Sequence, residues 1–203
     1  MGNRAIIKAK GNDNKAVYLH WNGGRDSVEA FLKYCSLKNF RGFETDYGMA
    51  RFCQVVGNFF GGSTSIGICD SVESQGDNGV YIVKNWEIVG REDNEGIEQN
   101  HYDLTEMLKF IDERQPKDQQ LGDFLDSKEI ETKNLKIGDI VFIQNLQGEY
   151  EKFKVIGFGV DKYVNGTKVF NLPFVDRFAN VKNDYSENIN NYITTEKIRI
   201  VSK

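Results

Sequence analysis

The hydrophobic pattern of the chain changes character at Pro116. Ahead of it, three segments space their apolar residues at helical intervals and others alternate like strands. Behind it nearly every patterned segment is strand-like. "PKDQQLGD" at the change is polar, and Pro116 stops the preceding helix. Two domains are therefore expected, residues 1–115 and 127–203, joined by a linker over 116–126. With 203 residues, 14 Phe and 9 Tyr, the chain can build two modest cores.

In the first domain, residues 4–10 and 16–21 read as a hairpin around the turn-forming "GNDN". "AVYLHW" mixes apolar and amphipathic side chains, which suits a half-exposed antiparallel strand. Val28, Phe31, Leu32 and Cys35 form one helical stripe, ended by Asn39 and Gly42. Residues 46–60 are helical and apolar on more than one side, which marks them as the central packed helix. Gly48 and Gly57 lower its helix propensity and suggest close contact with a neighbour. Strands follow at 63–71, 79–85 and 87–92, then a short helix at 104–114. The order ββααββ(β)α predicts an α+β domain, an antiparallel sheet with helices packed on one face. In the second domain, strands are expected at 135–144, 150–160 and 191–201. Asn165-Gly166 sets a type I′ hairpin turn. This pattern predicts a small SH3-like all-β barrel. The "NGT" sequon at the same turn reads as the hairpin and not as a glycosylation site.

Charge and cysteine usage exclude several function classes. The net charge is −4. Residues 1–124 hold 14 Lys+Arg against 19 Asp+Glu, and residues 125–203 hold 12 against 11. Neither half has the basic excess of a typical nucleic-acid binder. Cys35, Cys53 and Cys69 form no CxxC pair, and with only His20 and His101 no zinc spacing appears. The cysteines read as reduced and mostly buried. Metal: none; cofactors: none are expected. No apolar run reaches membrane-helix length, and no signal-peptide pattern opens the chain, so a cytoplasmic protein is expected.

Asn22, Gly23, Gly24, Arg25, Asp26 and Ser27 lie between a strand and a helix. Glycines that admit backbone N–H groups, a helix start and an arginine together suit a phosphate. The stretch resembles the Ser-Gly-Gly-x-Asp-Ser loop of the PP-loop ATPases, with Gly23, Gly24, Asp26 and Ser27 matching and Asn22 in place of the first Ser. That resemblance implies binding of ATP pyrophosphate. The structural reading of the same residues is a Gly-Gly turn followed by an Asp26 or Ser27 helix cap, with Asp26 and Glu29 spaced like a capping box. It accounts for all six residues and is preferred.

Other candidates are fewer. His20, Cys69 and Asp70 make a Cys-His-Asp arrangement conceivable if their strands are adjacent, with His20, Asp26 and Cys69 as the candidate catalytic residues. Arg25, Asp26, Tyr47 and Arg51 would gather if the two helix starts met at one end of the sheet, as a polar pocket or as a bracing salt bridge. Lys152, Phe153, Lys154, Lys162, Tyr163 and Lys168 interleave aromatics with lysines, as a single-strand nucleic-acid surface does. Plain strand alternation explains them as well.

"YLHWNGG" and the helix after it resemble small proteins of phages and mobile elements of Gram-positive bacteria. The resemblance implies an accessory protein, one that counters host defence. With no complete catalytic constellation, the sequence favours a non-enzymatic interaction protein that binds a macromolecule, a protein sooner than a nucleic acid, and no membrane. The alternatives are a nucleotide-binding enzyme using the 22–27 loop, and a nucleic-acid-processing protein that docks its substrate on the C-terminal barrel.

Overall fold

The structure is a computed structural model that describes residues 2–12, 14–62, 65–69, 77–92, 97–144, 150–159, 162–164, 167–169, 172–177, 191–192 and 197–201. It divides into two compact units, residues 1–121 and 122–203.

Unit 1 runs β1 (Ala5–Ala9), β2 (Ala16–Leu19), α1 (Arg25–Leu37), α2 (Asp46–Phe60), β3 (Ile66–Cys69), β4 (Val80–Lys84), β5 (Glu87–Glu92) and α3 (Leu104–Glu113). The sheet order is β3-β2-β1-β4-β5. The unit is α+β, but its sheet is mixed and not purely antiparallel as expected. β1 and β4 run parallel, with Ile7 opposite Tyr81. The reason is topological. The β1–β2 hairpin takes one side of β1, β3 extends the sheet beyond β2, and the chain then returns to the other side of β1 in the same sense.

Strand alternation sorts the side chains. Ala5, Ile7, Ala9, Val17, Leu19, Tyr81 and Val83 join Phe31, Phe43, Phe52, Met107 and Ile111 in one core beneath the helices. Ile6, Ala16 and Val80 form a second cluster, with Tyr18 and Cys69 against it. α1, not α2, is the central helix. It buries Ser27, Val28, Ala30, Phe31, Leu32, Tyr34 and Cys35 and packs against both α2 and α3. The second apolar side of α2 consists of Cys53, Phe59 and Phe60, which are only partly buried. The Tyr34 hydroxyl donates to Asp112 Oδ1 at 2.6 Å, a buried bond between α1 and α3.

Helix ends follow local chemistry. Asn39 takes the left-handed conformation (φ 53°). The Phe40 N–H donates to the Cys35 carbonyl and the Asn39 N–H to the Ser36 carbonyl, the Schellman arrangement. α2 starts where the Thr45 side chain accepts the Gly48 N–H.

Unit 2 contains β6 (Ser127–Glu131), β7 (Ile140–Gln144), β8 (Tyr150–Gly159), β9 (Lys162–Val164), β10 (Thr167–Val169), β11 (Leu172–Arg177), β12 (Asn191–Tyr192) and β13 (Lys197–Val201). Six strands form one antiparallel sheet in the order β12-β11-β8-β7-β13-β6, and β9 and β10 pair separately. Val164 lies opposite Thr167, which brackets the expected hairpin turn. The turn residues 165 and 166 lie outside the described residues. Among the described residues no ladder joins β12 to β6, and no closed barrel is found. The core is Leu135, Val141, Phe153, Val155 and Ile198. β6, unforeseen in the sequence, is an edge strand of polar composition, "SKEIE". Within the segment expected as a linker, Leu121 packs on the unit 1 core and Phe124 is buried.

Candidate functional sites

The 22–27 loop folds as a turn and a helix start. Asn22 has a φ of 54°. The Gly23 N–H donates to the Asn3 carbonyl at 2.8 Å, and a Cβ on Gly23 would lie 2.6 Å from the Ala5 nitrogen. Only glycine lets the chain pass so close to the first strand. The helix is capped at Gly24 with no side-chain cap bond, which corrects the expected Asp26 or Ser27 cap. Asp26 already lies in the first turn, and its carboxylate accepts the Ser27 N–H at 2.6 Å.

The same carboxylate reaches across to the backbone N–H groups of His101 and Tyr102. The Asp26 N–H donates to Asn100 Oδ1, and Arg25 Nε donates to Glu98 Oε2 at 2.6 Å. A Cβ on Gly24 would lie 1.9 Å from the Gln99 carbonyl oxygen. Residues 97–103 thus form a strap laid over the start of α1. The acceptors a phosphate would supply are supplied by the protein: Asn100 at the Asp26 N–H, Asp26 at the Ser27 N–H, and Glu98 at Arg25. "IEQNHYD" has no periodicity, so nothing local in the sequence announces the strap.

Glu98 also lies 3.5 Å from Arg91 Nε, and Arg91 Nε donates to the Asn78 carbonyl at 2.8 Å. Beneath them the Tyr81 ring faces the Arg25 guanidinium at 5.6 Å. Burial first, and then the nearby Glu98 charge, push the Tyr81 hydroxyl well above its ordinary pKa.

The other expected groupings do not assemble. Cys69 pairs with Ala16, whereas the His20 N–H bonds Ser65 at the opposite end of the ladder. The two positions are four residue steps apart along the ladder, about 13 Å at 3.3 Å per residue. Asp70 lies outside the described residues. His20 Nδ1 instead meets the Tyr18 hydroxyl at 2.8 Å, and its ring packs edge-on against Trp21. Arg25 and Asp26 are likewise separated from Tyr47 and Arg51. α2 begins beside the start of β2, where Lys15 pairs with Asp46 at 3.0 Å, while α1 begins after the end of β2. Burial raises both helical thiols, Cys35 strongly and Cys53 to about 11, so neither is a ready nucleophile.

In unit 2, Phe153 is 7% exposed and lies in the core. It offers no face to a base, which corrects its place in the expected nucleic-acid surface. Lys152 and Lys154 alternate with it and are exposed, and Lys152 pairs with Asp123. Lys162, Tyr163 and Lys168 fall on the β9–β10 pair, where Tyr163 stands opposite Lys168. Among the described residues, no group of three or more His, Cys, Asp or Glu could hold a metal ion. No helix of the described residues is long and apolar enough to cross a membrane.

The structure does form a pocket at the junction of α1 and α2. An open pocket of about 380 Å³ is lined by Asn39, Phe40, Arg41, Tyr47 and Arg51. The left-handed Asn39 turns the chain out of α1 and presents Phe40 and Arg41. The first turn of α2 then closes on residues 41 and 42, where a Cβ on Gly48 would lie 2.0 Å from the Gly42 carbonyl oxygen. Trp86 Nε1 donates to the Phe40 carbonyl at 3.0 Å and fixes that corner. The Arg41 guanidinium lies 5.2 Å from the Tyr47 ring centroid, and that of Arg51 lies 5.8 Å from the Phe40 ring centroid. Tyr47 is 70% exposed.

Among the described residues, charge compensation divides the arginines of the unit, and Arg41 and Arg51 fall with Arg114 among those without it. Arg4, Arg25 and Arg91 each have a carboxylate partner. Arg41 and Arg51 have none among the described residues; Arg51 donates only to the neutral Gln54 side chain, at 2.6 Å. Sequence reasoning named Tyr47 and Arg51 but missed Phe40 and Arg41. The usable signal was Asn39, a residue that ends a helix left-handed and turns the next side chains outward.

Comparison of the chain with protein-family models, with curated proteins and with solved structures gave no match.

Proposed function

We propose that this protein is a non-enzymatic interaction protein that binds a protein partner through the pocket between α1 and α2. The observation that carries the reading is a pocket where the exposed Tyr47 ring lies against Arg41 and the Phe40 ring against Arg51, two arginines with no carboxylate partner among the described residues. Tyrosine and arginine are the residue types that dominate binding energy at interfaces. Among the described residues no carboxylate pairs with either arginine, and Tyr47 is 70% exposed. The acidic balance of residues 1–124 argues against a nucleic acid as the partner. The "YLHWNGG" resemblance supplies the biological context: an accessory protein of a phage or mobile element, acting in the cytoplasm on a host-defence component. In this reading unit 2, as a small SH3-like β-fold, adds a second contact surface.

The test places a photo-crosslinking amino acid at Tyr47 in cells that carry the natural gene. A discrete protein adduct is expected, lost when Arg51→Glu is added and kept when the exposed Lys33→Glu is added. An unchanged adduct in Arg51→Glu, or none in any background, would overturn the reading.

A further inference from the structure

The pocket holds information about the chemistry of its occupant. Each arginine lies against an aromatic ring, Arg41 on Tyr47 and Arg51 on Phe40. A guanidinium held beside a ring still carries its N–H donors around its edge, in the plane of the group. That edge is the part that takes a carboxylate or phosphate in a two-bond fork. The ring also limits the side-chain freedom that binding must otherwise remove. Arg51 spends one N–H on Gln54, a neutral acceptor that leaves its charge intact. Two positive groups with no carboxylate partner among the described residues therefore stand at one opening, in a chain segment, residues 1–124, where acidic residues outnumber basic ones by 19 to 14.

We infer that this pocket is an anion-binding site that takes the carboxylate side chains of an acidic peptide segment, one carboxylate at Arg41 and one at Arg51, with Tyr47 covering the peptide between them. This rests on the interaction reading above and specifies the chemistry of the partner. Carboxylates are favoured over phosphates by the surroundings. A polyphosphate chain or nucleic-acid strand would carry its charge beyond the pocket, across the acidic surface of the unit. A pair of carboxylates delivers its charge only where the two guanidinium groups stand. The volume of about 380 Å³ suits a few residues of peptide.

The experiment uses the full chain and a short fluorescent peptide of Asp and Glu residues, read by anisotropy. Two competing probes are run in parallel: the same length of peptide carrying phosphoserines, and a single-stranded oligonucleotide. The acidic peptide is expected to bind, to weaken as salt rises, and to bind at least about tenfold more weakly to Arg41→Ala and to Arg51→Ala. Arg51→Lys is expected not to restore binding, because an ammonium lacks the planar fork. Lys33→Ala, an exposed change on α1 outside the pocket, leaves binding unchanged. All these side chains are exposed, and each variant's unfolding midpoint is recorded to show that it is folded.

The inference is overturned if the acidic peptide does not bind, if either arginine can be removed without loss, or if the phosphopeptide or oligonucleotide binds more tightly. The two proposals fail separately. A crosslinked partner at Tyr47 with no affinity for acidic peptide removes the carboxylate chemistry and leaves the interaction. Arginine-dependent peptide binding with no crosslinked protein leaves the anion site and removes the proposed partner.

Discussion

Arg25 and Glu98 meet at 2.6 Å, and the bond ties the first residue of α1 to a strap 73 positions later in the chain. The Glu98 side chain is only 18% exposed and lies near Arg91 as well. Its removal leaves partly buried positive charge without its counterion. Glu98→Gln, which keeps the shape, is expected to lower unfolding free energy by about 1–3 kcal/mol in urea titration. Glu29→Gln removes the other partner of Arg25, which is about half exposed, and is expected to cost less than about 0.5 kcal/mol. Equal effects would mean that the strap is not fastened through Glu98.

Because the strap supplies the acceptors at the start of α1, the 22–27 loop is expected to be closed to nucleotide. Millimolar Mg-ATP should leave the thermal midpoint of unit 1 unchanged. A ligand at 100 times its dissociation constant adds about 2.7 kcal/mol, a shift of several degrees in a unit of this size. Such a shift, abolished in Arg25→Ala, would show that the loop binds phosphate and that the strap moves aside for it.

The buried bond from Tyr34 to Asp112 gives a cleaner energetic test. Asp112 Oδ1 accepts both the Tyr34 hydroxyl and the Leu121 N–H. Tyr34→Phe removes one donor from a carboxylate that stays buried, at an expected cost of about 1–3 kcal/mol. Asp112→Ala should cost more, since it orphans the Tyr34 hydroxyl and the Leu121 N–H together. A double-mutant cycle should return a coupling of at least about 0.5 kcal/mol. Additivity within error would show that the bond contributes nothing of its own.

Alkaline pH should destabilise the protein in part through Cys53. Burial raises its thiol from the ordinary 9 to about 11. Between those values the unfolded chain has released the proton and the folded chain has kept it. Stability is therefore fully present below pH 9 and falls as pH rises through about 11. At pH 10.5 the contribution of this thiol to the fall is about 2 kcal/mol. Cys35, Tyr34 and Tyr81 are also raised, chiefly by burial, and push in the same direction. Urea unfolding at pH 8 and 10.5 should show the drop, and Cys53→Ala should make it smaller. A drop of the same size in Cys53→Ala would show that this thiol is not protected by the fold.

The sequence made the helices and most strands of unit 1 legible because their apolar residues recur at regular spacing: Val28, Phe31, Leu32 and Cys35 do lie on a buried face. Asn39 and Gly61 mark the helix ends they occupy, both left-handed. The parallel pairing of β1 with β4 was not legible, since register across some 75 positions leaves no local trace. The same holds for the strap. Asp26 has the residue type and spacing of a helix cap, and only the fold shows that it serves the N–H groups of His101 and Tyr102. Phe153 shows the converse limit. Lysine-flanked aromatics look the same in sequence whether the ring faces solvent or, as here, the core.

Two glycines of α2 look alike in the sequence and should behave oppositely when replaced. A Cβ at Gly48 would lie 2.0 Å from the Gly42 carbonyl oxygen and 2.5 Å from that of Arg41. Both are backbone atoms of the segment that presents Arg41 to the pocket, so they cannot yield without moving it. A Cβ at Gly57 would meet nothing within 4 Å. Gly57→Ala should therefore stabilise the protein by about 0.5–1 kcal/mol through helix propensity. Gly48→Ala should gain the same propensity and lose more to overpacking, for a net cost of about 1–3 kcal/mol. Because the displaced backbone carries Arg41, Gly48→Ala should also weaken binding of the acidic peptide, while Gly57→Ala leaves it unchanged. Urea unfolding and peptide anisotropy on the two variants check both halves. If Gly48→Ala is as stable as Gly57→Ala, the first turn of α2 does not rest on residues 41 and 42. If it is destabilised but binds peptide normally, the contact supports the fold without setting the pocket.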